Sequence, residues 1–374
     1  MQGTIKMQQS FGRVRTFLFA LAGCFLVSGS GNAADWDEGA GSDWTETLAA
    51  ARIEGEVILA GPAQLADEIS KAFTEATGIK ARFLGGSNRD IRTKFRREVA
   101  AGVPTIDVKI GGSGEIKLAN DGLLEPLAPL LMLPSVSDPA NWLEDRLKWV
   151  DEKQTFMPIP NEYVFGWPVA NNTLVAEGVL TSWQDLLRPE FKGKIAAFDP
   201  TIPGPGQAAA SYLGEKFGEA YLEKLFVGQE VTLVRDGRQM VEWVARGSYA
   251  VALGAVSPNV EKFKSAGITT LFVPDLSDGP GSILGGSSIP VIPKGAPHRN
   301  AAIVFVNWYL SAEGQTIYGN TWQTPSRRRD VSSDGLPDYV LIKPAREYLD
   351  QYQEKWYVTM RSHWSDVLTA MLGK

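Results

Sequence analysis

Serines, an asparagine, a glutamine and three arginines stand where this 374-residue chain could hold a small polar molecule. The first group is Gly61, Ser87, Asn88, Arg89, Gly112 and Ser113. Tyr163 follows, then Gln207, Arg235 and Ser257, and finally Ser287, Ser288 and Arg327. Hydroxyls, amides and backbone N–H groups donate hydrogen bonds to an anion or a sugar. Arginine adds a planar fork that pairs a carboxylate or phosphate through two parallel bonds. Covalent catalysis and metal chemistry find little support. Cys24 is the only cysteine, and it lies in an apolar leader, so disulfides, cysteine-based metal sites and thiol catalysis are excluded from the folded part. The histidines, His298 and His363, fall in a turn and a terminal helix, which disfavours a Ser–His–Asp site. No G-x-G-x-x-G, phosphate-cradling P-loop, G-x-S-x-G or H-E-x-x-H pattern occurs. The chain reads as a binder and not an enzyme, with no cofactor.

The elements that position these residues follow from apolar periodicity. Three Gly/Ser-rich loops each follow a short apolar strand, at 54–64, 79–90 and 105–115. Helical patterns separate them, so the stretch reads βαβαβ and implies a parallel sheet. Ligands of such sheets sit beyond the carboxyl ends of the strands, where these loops lie. The helix over 64–78 carries Leu65, Ile69, Phe73 and Ala76 on one face and ends at Gly78. The next, over 88–101 and capped by Ser87 or Asn88, presents Arg92, Lys94, Arg96, Arg97 and Glu98 as a solvent face. Residues 131–160 read as a surface excursion. A second strand–loop–helix series runs from 194 to 254, and its Pro/Gly loop (201–206) enters a helix near Gln207 whose N-terminus suits an anionic group. A strand, a turn and an amphipathic helix occupy 285–319, with Ala302, Phe305, Val306 and Tyr309 inward, and 344–372 reads as one closing helix.

Lys6, Arg13 and Arg15 precede the apolar run 16–27 and the small residues 28–34, the pattern of a secretory signal peptide. Leu21–Cys24 also resembles a lipobox, but the apolar run continues past Cys24, which favours cleavage near Ala33 or Ala34. The net charge of −6 argues against nucleic acid or anionic membranes as partners.

The order of parts is similar to a periplasmic solute-binding protein of an ABC importer, of the iron(III)-binding-protein-like group. The matching pieces include AFTEATGIKARFLGGS, GVPTIDVKIGGSGEIKLANDGLLEPL, SWQDLLRPEFKGKIAAFDP, VEWVARGSYAVALG, NAAIVFVNWYLSAEGQ and PSRRRDV, and they span nearly all of 42–331. The resemblance implies an α/β, two-lobed type II periplasmic-binding-protein fold. Each lobe would be a mixed sheet flanked by helices, with the ligand cleft between them. The expected division is a signal peptide at 1–34, a first lobe at 35–168 and 285–325, and a second at 169–284 and 326–374. It also implies a periplasmic monomer that closes on its solute by a hinge and delivers it to an inner-membrane permease. Ferric-binding relatives use adjacent tyrosines, where this chain has Ala255, Val256 and Ser257. No histidine stands at Pro62–Leu65 and no acid at Gly111–Ser113, with Glu115 close by. A small anionic or hydroxylated solute is therefore expected. A ferric or iron-chelate binder, and a sensor of the same fold without transport, are the alternatives.

Overall fold

The computed structural model describes residues 36–279 and 281–374, without the side chains of Asn88 and Arg89. The signal-peptide and Cys24 expectations lie outside these residues. In chain order come α1 (Ser42–Glu54), β1 (Glu56–Gly61), α2 (Ala66–Thr77), β2 (Lys80–Gly85), α3 (Asn88–Ala100), β3 (Val108–Gly111), α4 (Ile116–Asn120), α5 (Pro134–Ser137), β4 (Lys148–Trp149), β5 (Pro158–Ile159) and β6 (Tyr163–Phe165). Then follow β7 (Val169–Asn171), β8 (Ile195–Phe198), α6 (Pro205–Phe217), α7 (Glu219–Glu223), β9 (Thr232–Val234), α8 (Gly237–Ala245), β10 (Val251–Leu253), α9 (Ser257–Ser265) and β11 (Leu271–Phe272). The chain returns through β12 (Ser282–Leu284), β13 (Ile289–Val291), α10 (Arg299–Leu310) and α11 (Ala312–Trp322), and ends with β14 (Leu349–Asp350) and α12 (Arg361–Met371).

Two mixed sheets organise the fold. One has the order β13-β3-β1-β2, with β1, β2 and β3 parallel and β13 antiparallel to β3. The other has the order β11-β7-β10-β8-β9, with β8, β9 and β10 parallel. A third, small sheet, β14-β12-β6, joins the segments that pass between them. The chain thus runs between the halves three times, at β6, β12 and β14.

Apolar burial explains the layers. Val57, Leu59, Val108 and Ile110 of the first sheet pack with Phe73 of α2 and Phe305 and Trp308 of α10. Phe73 meets Phe305 at 5.2 Å and Trp308 at 5.4 Å between ring centroids, edge to face. The second half buries Trp183, Leu213, Tyr221, Leu253, Trp364 and Leu368 together.

Several expectations change here. Helix α10 is not amphipathic: every residue from Ala301 to Leu310 is buried, because α1 covers the side that would face water. The 131–160 stretch is no surface excursion, since Leu133, Val136, Trp142, Val150, Met157 and Ile159 are all buried. The closing helix is shorter than expected: residues 344–353 hold turns and β14, and the helix begins at Glu354 and passes through a π-helical turn, Trp356–Met360, into α12. Ser326 and Arg328 bridge to Asn161 and Trp142, tying the start of the 326–374 segment to the first half and not the second.

Candidate functional site

Two adjoining cavities are lined by loops from both halves. The inner one, about 100 Å³, is bounded by Arg92 and Gly112–Gly114 on one side and by Pro203–Pro205 on the other. Tyr163, Phe165 and Leu284 of the small sheet form part of its wall, and Tyr357 and Arg361 complete it. The outer one, about 490 Å³, is lined by Gln64, Ser87, Asp90, Phe198, Arg235, Asp236 and Arg238, among others. Both share Pro203, Gly204, Pro205, Val256, Ser287 and Trp322. The halves touch across the cleft, where Gln64 Nε2 donates to Asn259 Oδ1 at 3.5 Å.

The inner cavity is cationic. Arg361, only 9 % exposed, reaches it from the first turn of α12. Its Nε donates to Gln207 Oε1 at 2.9 Å and its Nη2 to the Gly204 carbonyl at 2.8 Å. Its guanidinium lies over the Tyr357 ring, 5.0 Å from the centroid. Among the described residues no carboxylate lies within ion-pair distance of it. Burial lowers its pKa, and the charge of Arg92 lowers it further.

Arg92 is held differently. Its Nε and Nη2 pair the two oxygens of Glu115, each at 3.1 Å, a bidentate arrangement. Lys109 Nζ also donates to Glu115 Oε1, at 2.6 Å, and Lys109 and Glu115 are both fully buried. Burial opposes ionisation of Glu115, but Arg92 and Lys109 outweigh it and hold the carboxyl below its usual range. Gly114 makes room for this assembly. A Cβ there would lie 2.8 Å from Arg92 Nη2 and collide with the Tyr357 hydroxyl. Across the cavity, Gly204 caps α6, leaving the first N–H groups of that helix without helical partners.

The residues expected from sequence fall in different places. Gly112, Ser113, Tyr163 and Ser287 line the inner cavity, and Ser87 and Arg235 the outer. Ser87 also caps α3, accepting from the Asp90 N–H at 3.2 Å. Gln207 acts from behind, through Arg361. Ser257, Ser288 and Arg327 are corrections. Ser257 Oγ donates to the Trp322 carbonyl at 3.0 Å, and Ser288 Oγ to the Gly285 carbonyl at 2.6 Å. Arg327, 1 % exposed, is locked in an ion pair with Glu162 and donates to the Leu143 carbonyl. Gly61 is packing: a Cβ would lie 3.0 Å from the Ile110 carbonyl oxygen. The side chains of Asn88 and Arg89 lie outside the described residues. Sequence reasoning missed Arg92, Tyr357 and Arg361.

No group of three or more His, Cys, Asp or Glu suited to a metal ion occurs among the described residues. Glu115, the acid nearest the expected metal-ligand position, is already taken by two cations.

The match to known sequences decides the family. The profile of the bacterial extracellular solute-binding proteins covers residues 58–316. The chain belongs to that family. This solute-binding protein is 25% identical over 291 residues to a Salmonella typhimurium protein provisionally named a 2-aminoethylphosphonate-binding periplasmic protein, covering 76% of this chain and 80% of that one. Its fold is shared with AfuA from Actinobacillus pleuropneumoniae, a periplasmic binding protein with fructose-6-phosphate bound, at a TM-score of 0.63 and 20% identity over 84% of this chain and 98% of that one. Iron-bound HitA from Pseudomonas aeruginosa matches at a TM-score of 0.65 and 19% identity, over 84% and 99%. The α/β, type II periplasmic-binding-protein fold is thereby shown, and the class is that of the family, an extracellular solute-binding protein. Among the described residues no helix is long and apolar enough to cross a membrane.

Proposed function

We propose that this binding protein captures a small organic anion whose head group is a phosphonate or a phosphate ester. Arg361 carries the reading. A buried arginine without a carboxylate partner is costly unless a ligand supplies the charge. Its fork lies beside Arg92, opposite the Gly112–Gly114 turn and near the free N–H groups of α6, and together these suit a tetrahedral oxyanion. The outer cavity takes the rest of the solute. The name of the Salmonella relative and the ligand of AfuA point to the same head-group chemistry. The protein works in the periplasm as a monomer after removal of its signal peptide. Solute contacts with both halves favour the closed form, which docks on its permease.

Calorimetry with 2-aminoethylphosphonate, fructose-6-phosphate, citrate, spermidine and ferric citrate tests this. The organophosphorus compounds are expected to bind. Arg361→Gln should then weaken them about tenfold to a hundredfold, the worth of one charge-assisted hydrogen bond. Binding of spermidine or iron alone would overturn the reading.

A further inference from the structure

We infer that the inner cavity selects a doubly charged head group over a singly charged one of the same shape; this rests on the anion-binding reading above. The observation is the inventory of charges. Arg92 of α3 and Arg361 of α12 line the cavity, with Lys109 of β3 buried behind it; Glu115 pairs both Arg92 and Lys109, while Arg361 has no carboxylate within ion-pair distance among the described residues. Lys117, an exposed residue, adds a further cation over the Tyr357 ring, 5.8 Å from its centroid. The Tyr163 phenol stays neutral, because burial pushes it up to about 12. Neither histidine lines either cavity.

The outer cavity differs. There Asp90 and Asp236 stand with Arg235 and Arg238, so cations and anions are balanced and give no preference for solute charge. Discrimination is therefore confined to the inner wall. Two like charges in a site of low dielectric repel; burial is the main cause that lowers the pKa of Arg361, and the charge of Arg92 adds to it. A monoanion leaves one of them uncompensated, whereas a dianion matches both. A phosphonate and a sulfonate share tetrahedral shape and three oxygens, so charge alone separates them.

The test compares 2-aminoethylphosphonate with 2-aminoethanesulfonate by calorimetry on the full mature chain. Methylphosphonate against methanesulfonate serves as a pair without the amino group. At pH 8 each phosphonate should bind about tenfold to a hundredfold more tightly than its sulfonate, the range of one charge-assisted bond. Between pH 8 and pH 5 the ratio should fall towards unity as the dianion takes up one proton and becomes a monoanion, a step whose pKa is near 6 for phosphate esters. Arg361→Gln should shrink the ratio at pH 8, while a merely structural loss would weaken both compounds alike. Equal affinity of the two compounds at pH 8, or a ratio indifferent to pH, overturns selection by charge and leaves the anion reading standing. Binding of neither pair and of no phosphate ester removes the anion reading, and this inference with it.

Discussion

At the scale of single residues, the proposed site depends on side chains outside the lining of the two cavities. Gln207 is the clearest, because its Oε1 fixes the Arg361 fork. Gln207→Leu keeps the volume and removes the acceptor. It should weaken organophosphate binding about tenfold, as loss of a hydrogen bond to a charged group implies, with the fold intact by circular dichroism. Gly114→Ala should do similar damage by displacing Arg92 and Tyr357. Asp199 makes a prediction about acid. Burial favours its neutral form, but bonds from Thr201 and Lys374 outweigh that and bring its pKa down to about 2. A depressed carboxylate stabilises the fold above its unfolded pKa and stops doing so as pH falls through the folded value. Stability should thus be level above about pH 5 and decline between about pH 4 and pH 2, by roughly 2 kcal/mol for this group. Urea melts of Asp199→Asn should lack that share of the acid loss.

Helices α3 and α12 show what was legible in the sequence and what was not. The strand–loop–helix repeat, the Ser87 cap and the Gly112–Ser113 turn follow from local pattern, and the structure has them. Arg92 and Arg361 escape because charge alone says surface. Yet each sits in a buried stripe: Arg92 leads Phe95 and Val99, and Arg361 leads Trp364 and Leu368, at helical spacings of three and four. A cation in an apolar stripe was the readable signal. Lys109, between Val108 and Ile110 in a buried strand, was another. Ser257, Ser288 and Arg327 fall elsewhere for the opposite reason, since a polar residue in a loop or at a helix end is as easily spent on a neighbouring carbonyl or carboxylate. Phe95→Ala, in the core beneath α3, should cost about 3–5 kcal/mol in chemical denaturation, since a buried aromatic leaves a cavity.

At the scale of the molecule, three strands from separate passes of the chain form the small sheet between the halves. Solute bound between Arg92 and Arg361 would draw the halves together, and small-angle scattering should show contraction on adding an organophosphate. Unchanged dimensions with ligand bound would mean a cleft already shut. The third pass has a consequence for biogenesis. Arg92 is made early and Arg361 late, because chains are made from the N-terminus onwards. The proposed anion site can therefore form only after the last helix has folded back onto the cleft. On the proposed site, solute cannot guide the early folding of this chain; it can only lock a product already complete, and a chain ending before α12 would lack both Arg361 and the Trp364 and Leu368 that fill the second half's core.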